Sequence, residues 1–158
     1  MMRVRIAAVG RLPARAPEAA LVADYLTRFG QVGRGLGLGP ATVAEVEDRR
    51  GGGRVAEAAL LSRQIPEGAA IIALDERGRV LSSPDLAEAL ARFRDQGRPE
   101  TACLIGGADG LHPPLREQAD LVISFGAMVW PHMLVRVMLA EQLYRAATIL
   151  AGGPYHRA

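Results

Sequence analysis

A chain of 158 residues is long enough to bury one sizeable core and too short for several, so a single domain over residues 1–158 is expected. Hydrophobic residues at 49% exclude a disordered chain, and the longest apolar run, Met133 to Leu150, carries Arg136, Glu141 and Arg145, three charges that exclude a membrane span. A net charge of +2 excludes a broad electrostatic footprint for nucleic acid.

The apolar run that begins at Val4 stops at Gly10, too short for a signal-peptide core, and a cytoplasmic protein is expected. The single cysteine, Cys103, lies in an apolar segment and reads as a buried thiol with no disulfide partner. It offers no basis for a metal site, and no metal is expected. All nineteen basic side chains are arginine. Any anionic partner must therefore be held by arginine forks, helix N-termini or backbone amides, and no lysine can serve as a base.

In chain order, Val4 to Val9 has the apolar, partly β-branched character of a strand. Glu18 to Phe29 carries apolar residues at helical spacing, with Pro17 suited to the first turn. The segment from Gly33 to Pro40 is glycine-rich and reads as a loop, Ala41 to Val46 as a short strand, and Asp48 to Gly53 as a polar loop. A helix follows over Val55 to Ile65. Ala69 to Leu74 is a continuous apolar run, as in a parallel strand covered on both faces. Ser82, Ser83 and Pro84 start a helix that runs to about Asp95. Ala102 to Ile105 is a second buried strand, a short helix starts near Pro113, and Leu121 to Phe125 is a further strand. A long helix over Met133 to Leu150 ends at Gly152-Gly153-Pro154. This alternation predicts an α/β fold, a parallel sheet with helices on both faces and ligand sites beyond the carboxyl ends of the strands.

Three segments could carry chemistry. The glycines at 33–39 do not make a dinucleotide fingerprint, because a strand rather than a helix follows, and a phosphate-binding P-loop would need a lysine. Ile105 to Leu111 puts Gly106, Gly107 and Gly110 directly after a buried strand; close approach of a ligand to the backbone and a plain tight turn fit equally well. Phe125 to His132 is an apolar loop holding the only tryptophan, Trp130. An adenine ring could lie on it, but by pattern alone Met128, Val129 and Trp130 read as core. His132 stands at the start of the long helix, where an imidazole could accept a proton or simply cap the helix.

At these residues the chain resembles the ribosomal RNA large subunit methyltransferase H family. The resemblance is carried by Ala8-Val9-Gly10, Leu74-Asp75, the run Leu104 to Leu111, Pro131 to Val137, Glu141 to Ala146 and Pro154 to Arg157, in family order across essentially the whole chain. It implies an S-adenosylmethionine-dependent enzyme of the SPOUT class that methylates N3 of a pseudouridine in 23S rRNA on the assembled ribosome. It also implies a homodimer, with the C-terminal part threaded into a trefoil knot and the long helix forming the dimer surface. Carried over by motif, the cofactor contacts fall on Leu74, on Gly106 with Gly107, and on Phe125, Gly126, Ala127, Met128, Val129 and Trp130. The match is weakest between Arg34 and Arg54, where no RNA contact is assigned.

Methyl transfer from a sulfonium is an in-line displacement that asks mainly for positioning and exclusion of water. The proton at N3 must also leave, and His132 or His156 is the type of group suited to take it. Arg136, Arg145 and Arg157 would hold phosphates or the base edge, with Arg136 grouped beside the two histidines as catalytic. Tyr155 adds a stacking ring to a tail suited to an unpaired base, expected to complete the partner subunit's site. Two rivals remain at this level. A nucleotide-binding oxidoreductase lacks its fingerprint, and a non-enzymatic ribosome-associated binding module would be free to fill the glycine turn.

Overall fold

The computed structural model describes residues 1–158. Five strands form one sheet: β1 (Met2–Val9), β2 (Leu38–Val46), β3 (Ala70–Val80), β4 (Glu100–Ile105) and β5 (Leu121–Ser124). Their order is β2-β1-β4-β3-β5, and every neighbouring pair is parallel. Five helices connect them: α1 (Pro17–Gly33), α2 (Gly53–Ser62), α3 (Ser83–Asp95), α4 (Pro113–Glu117) and α5 (His132–Ala151). No helix is long and apolar enough to cross a membrane.

The two-residue period of the strands sorts their side chains onto two cores. In β1, Val4, Ile6 and Ala8 join the larger cluster with Val22, Leu26 and Phe29 of α1, Leu86 and Leu90 of α3, and Leu139 and Leu143 of α5. Ala7 and Val9 point the other way, into the smaller cluster with Ala58 and Leu61 of α2 and Leu115 of α4. Helices thus cover both faces, as the continuous apolar strands require. Cys103 belongs to the larger cluster, and burial pushes its thiol up to about 12.

Ser82 caps α3 as its hydroxyl suggested. It accepts from the Asp85 backbone N–H at 3.2 Å, and the Asp85 carboxylate accepts from the Ser82 N–H at 3.3 Å. The glycine-rich segment departs from expectation. It is not a loop: α1 runs on to Gly33, a 3₁₀ turn spans Arg34–Leu36, and β2 starts at Leu38. A Cβ on Gly33 would lie 2.9 Å from the Leu38 carbonyl oxygen, so glycine lets helix and strand meet without a spacer. β3 also outruns its apolar stretch by six residues, because Ile123 of β5 pairs with Leu74 and again with Arg79. Gly78 sits against β5 so closely that a Cβ there would lie 2.7 Å from the backbone of Val122 and Ile123.

Candidate functional site

The carboxyl ends of the strands gather the segments that carry chemistry. A cavity of about 180 Å³ opens where the middle of β3 and the turns after β4 and β5 converge. Its wall includes Leu74, Gly106, Gly107, Phe125, Gly126, Met128, Val129 and Trp130, eight of the nine residues expected to hold a cofactor. Ala127 shares the loop but is not on the wall. His132, from the first turn of α5, is.

Local sequence explains the shape. A hydrogen bond donated by the Gly110 N–H to the Gly107 carbonyl at 3.0 Å closes the turn after β4. A Cβ on Gly106 would meet the Gly110 carbonyl carbon at 2.6 Å. The tight turn itself thus requires glycine at 106, and the cavity gives that turn its place. After β5, Ser124 Oγ accepts from the Gly126 N–H at 3.1 Å and holds the bend at which Gly126 takes φ +103°. The loop beyond it is not core. Met128 is 75% exposed, Val129 90% and Trp130 40%, an apolar rim in contact with water.

Asp75, Glu76, Gly110, Ser124 and Val135 also line the cavity and were not singled out as contacts. Asp75 is committed: its carboxylate accepts from the Arg77 N–H at 2.8 Å and lies 3.4 Å from Arg116. Glu76 is exposed and has no ion-pair partner. Nearby on α2, Glu57 reaches the glycine turn, its Oε2 lying 3.1 Å from where a Gly107 Cβ would be. Burial, then the charges of Asp109 and Asp48, hold its carboxyl above the usual value.

His132 lies against Gly10, with Cε1 3.7 Å from the position of a Gly10 Cβ. Arg136, expected to grip RNA, does not have a free guanidinium. It is 3% exposed, its Nη1 donates to Glu45 Oε2 at 2.6 Å and its Nη2 to the Gly10 carbonyl at 3.1 Å. Instead of reaching phosphate or a base edge, it turns inward, where Glu45 of β2 pairs it.

The C-terminal tail is docked on the far end of α5. Arg145 Nη1 and His156 Nδ1 are 3.2 Å apart, and the Arg145 guanidinium lies 4.8 Å from the centre of the Tyr155 ring. The Tyr155 and Tyr144 rings are 4.7 Å apart, and Arg145 is held by Glu141 at 2.6 Å. Burial, then the neighbouring Glu141 and Tyr25, push the Tyr155 hydroxyl above its usual value. Arg157 is exposed. Arg145 follows His132 by thirteen helical residues, roughly 20 Å at 1.5 Å per residue. One chain alone therefore keeps the His132 cavity and the tail apart. A second, more apolar cavity of about 450 Å³, walled by Leu81, Leu86, Phe125, Val137 and Met138, adjoins the first along α5.

The family model described as "Predicted SPOUT methyltransferase" matches residues 2–156, so the chain, with its glycine turn and apolar loop at the carboxyl edge of the parallel sheet, is a methyltransferase of the SPOUT class. Enzymes of this class take their methyl group from S-adenosylmethionine. The chain is 68% identical over 156 residues to the ribosomal RNA large subunit methyltransferase H of Paracoccus denitrificans, covering 99% of each chain. It is equally similar, at 68% with the same coverage, to the protein of that name from Roseobacter denitrificans. The chain belongs to this methyltransferase H family. Among solved structures, a probable methyltransferase from Bordetella pertussis shares the fold, with a TM-score of 0.53 at 18% identity over 92% of this chain and 96% of that one.

Proposed function

We propose that this enzyme transfers a methyl group from S-adenosylmethionine to N3 of a pseudouridine in 23S ribosomal RNA, on the assembled ribosome, as a cytoplasmic homodimer. The observation that carries the reading is the convergence of the glycine turn, the Phe125–Trp130 loop and His132 on one cavity. The methyltransferase H relatives supply the large-subunit RNA. The family resemblance supplies pseudouridine.

The residues present fit the cofactor. Its floor is apolar at Leu74 and Ile105, its rim offers Trp130 and Val129 for an adenine face, and the unpaired Glu76 carboxylate suits a cationic ligand. S-adenosylmethionine supplies an electrophilic methyl when bound. Leu74, Gly106, Gly107 and the loop from Phe125 to Trp130, Ala127 included, would hold it. His132 stands where it could take the N3 proton or orient the base, and the exposed apolar rim would exclude water once RNA covers it.

The dimer is favoured by the separation of His132 from the tail. An antiparallel second copy would bring His156, Arg145, Tyr155 and Arg157 of one subunit towards the cavity of the other. Exposed Met133 and Leu134 and the apolar cavity beside α5 support a surface that needs covering. A knot is rare among folds. The family resemblance supports it here, and the register between β3 and β5 breaks between Leu74 and Arg79.

The test is incorporation of labelled methyl from S-adenosylmethionine into ribosomes lacking the modification, against ribosomes with unmodified uridine at the site. Incorporation confined to pseudouridine-bearing ribosomes is expected. Cofactor binding without incorporation would point to another RNA, and neither would leave a ribosome-binding module.

A further inference from the structure

We infer that Glu45 and Arg136 are positioning residues that hold His132 at the wall of the methyl-transfer cavity; this rests on the proposed function only in taking that cavity as the place of reaction. A single carboxylate oxygen of Glu45 joins three segments. Oε2 accepts from Arg136 Nη1 at 2.6 Å and from the Leu12 backbone N–H at 2.7 Å. Arg136 in turn donates from Nη2 to the Gly10 carbonyl at 3.1 Å. The end of β2, the loop after β1 and the second turn of α5 are thus tied at one point.

His132 is Arg136 minus four, so both side chains share a face of α5, one turn apart. That face looks onto Gly10, and the imidazole Cε1 lies at van der Waals range, 3.7 Å, from where a Gly10 Cβ would be. At φ +99° only glycine holds this backbone without strain. Fixing the Gly10 carbonyl therefore fixes the surface on which His132 rests.

The start of α5 has no other anchor of this kind. Its N-cap is Pro131, which contributes no side-chain hydrogen bond, and the loop before it is exposed and apolar. The pair is also costly as a mere staple. Arg136 is almost wholly buried, and its Nε has no partner. A buried ion pair seldom gains stability over apolar residues of the same volume, so what it supplies here is a single geometry. Burial pushes the Glu45 carboxyl up, but the Leu12 N–H and Arg136 outweigh it and hold it below its usual value.

The experiment uses the full chain carrying Glu45→Gln, which keeps the shape and removes the charge. Three readouts are taken: the imidazole Cε1–H signals by NMR, S-adenosylmethionine affinity by calorimetry, and single-turnover methyl transfer to ribosomes. Only three histidines are present, and His132→Asn assigns the signal of interest. The expected result is a shifted or broadened His132 signal beside unmoved His112 and His156 signals, cofactor affinity within about twofold of the parent, and transfer at least tenfold slower. If the His112 and His156 signals collapse as well, the fold has been lost, and Arg136→Lys, which retains the charge but not the fork, is read by the same criteria. An unmoved His132 signal in a folded variant overturns the inference, as does a moved signal with an unchanged rate. If the parent itself methylates no ribosome, the proposed function fails while the NMR arm still decides the positioning.

Discussion

At the amino edge of the sheet Glu100 is 1% exposed; its Oε1 accepts from Arg5 Nη2 at 3.4 Å, its Oε2 lies 3.0 Å from Arg5 Nε, and Arg3 closes on it at 3.6 Å. Beside it Asp120 accepts from the Ile71 N–H at 2.8 Å and from Arg98 at 2.9 Å. At the carboxyl edge the comparable groups are the Glu45–Arg136 and Asp75–Arg116 pairs. Around them lie open glycines, a carboxylate without a cation at Glu76 and three exposed apolar side chains in a row. One edge has its charges matched within the chain, and the other leaves surface and charge for something outside it. In a parallel α/β sheet that asymmetry is what separates stability from function.

The largest expected effect breaks the closed edge. Glu100→Ala leaves the partly exposed Arg5 without its partner and should cost about 1.5–3 kcal/mol in denaturant unfolding. Methyl transfer per folded molecule should not change, because the site lies at the other end of the strands. Gly106→Ala acts on the open edge. Its methyl would meet the Gly110 carbonyl carbon at 2.6 Å, so the turn must shift. Calorimetry should find S-adenosylmethionine affinity reduced at least tenfold, with a stability loss of about 1–3 kcal/mol.

Mixing chains sharpens the same contrast. His132→Ala and His156→Ala subunits should each be slow alone. In the proposed homodimer random reassortment makes half the dimers mixed, each with one intact site if the tail acts across the interface, so about a quarter of parent activity returns. Action within one chain would return none. The smallest effect concerns Glu57. Its carboxyl is raised in the folded state, so the folded chain binds the proton more tightly. Its contribution is present below the unfolded value of 4.5 and is lost as pH rises through the folded value. Glu57→Gln should therefore raise Tm slightly at pH 7 and leave it unchanged below about pH 4, as thermal scans at both pH values would register.

The strands were legible because β1, β3 and β4 are buried on both faces and leave unbroken apolar runs. The cap at Ser82 was legible because its chemistry is local. The extension of β3 was not: Asp75 to Arg79 is polar and carries no strand pattern, and only the return of Ile123 gives it a partner. The glycine-rich segment misled because glycine there serves close packing of Gly33 on Leu38 as well as turning. In the site, motif order located the cavity wall, whereas hydrophobicity alone assigned Met128, Val129 and Trp130 to a core they do not join. Arg136 was missed as a buried group because its partner lies ninety-one residues away in sequence. Nothing local marks such a pair.

The lone tryptophan makes the central claim directly measurable. Trp130 is the only one in the chain and sits on the rim of the cavity assigned to the cofactor. Titrating S-adenosylmethionine while following intrinsic fluorescence should give a saturable change in Trp130 emission, with a midpoint matching calorimetry and displaced to higher concentration in Gly106→Ala. Calorimetric binding with no change in Trp130 emission would contradict the account, since the cofactor would then lie away from the carboxyl edge loop.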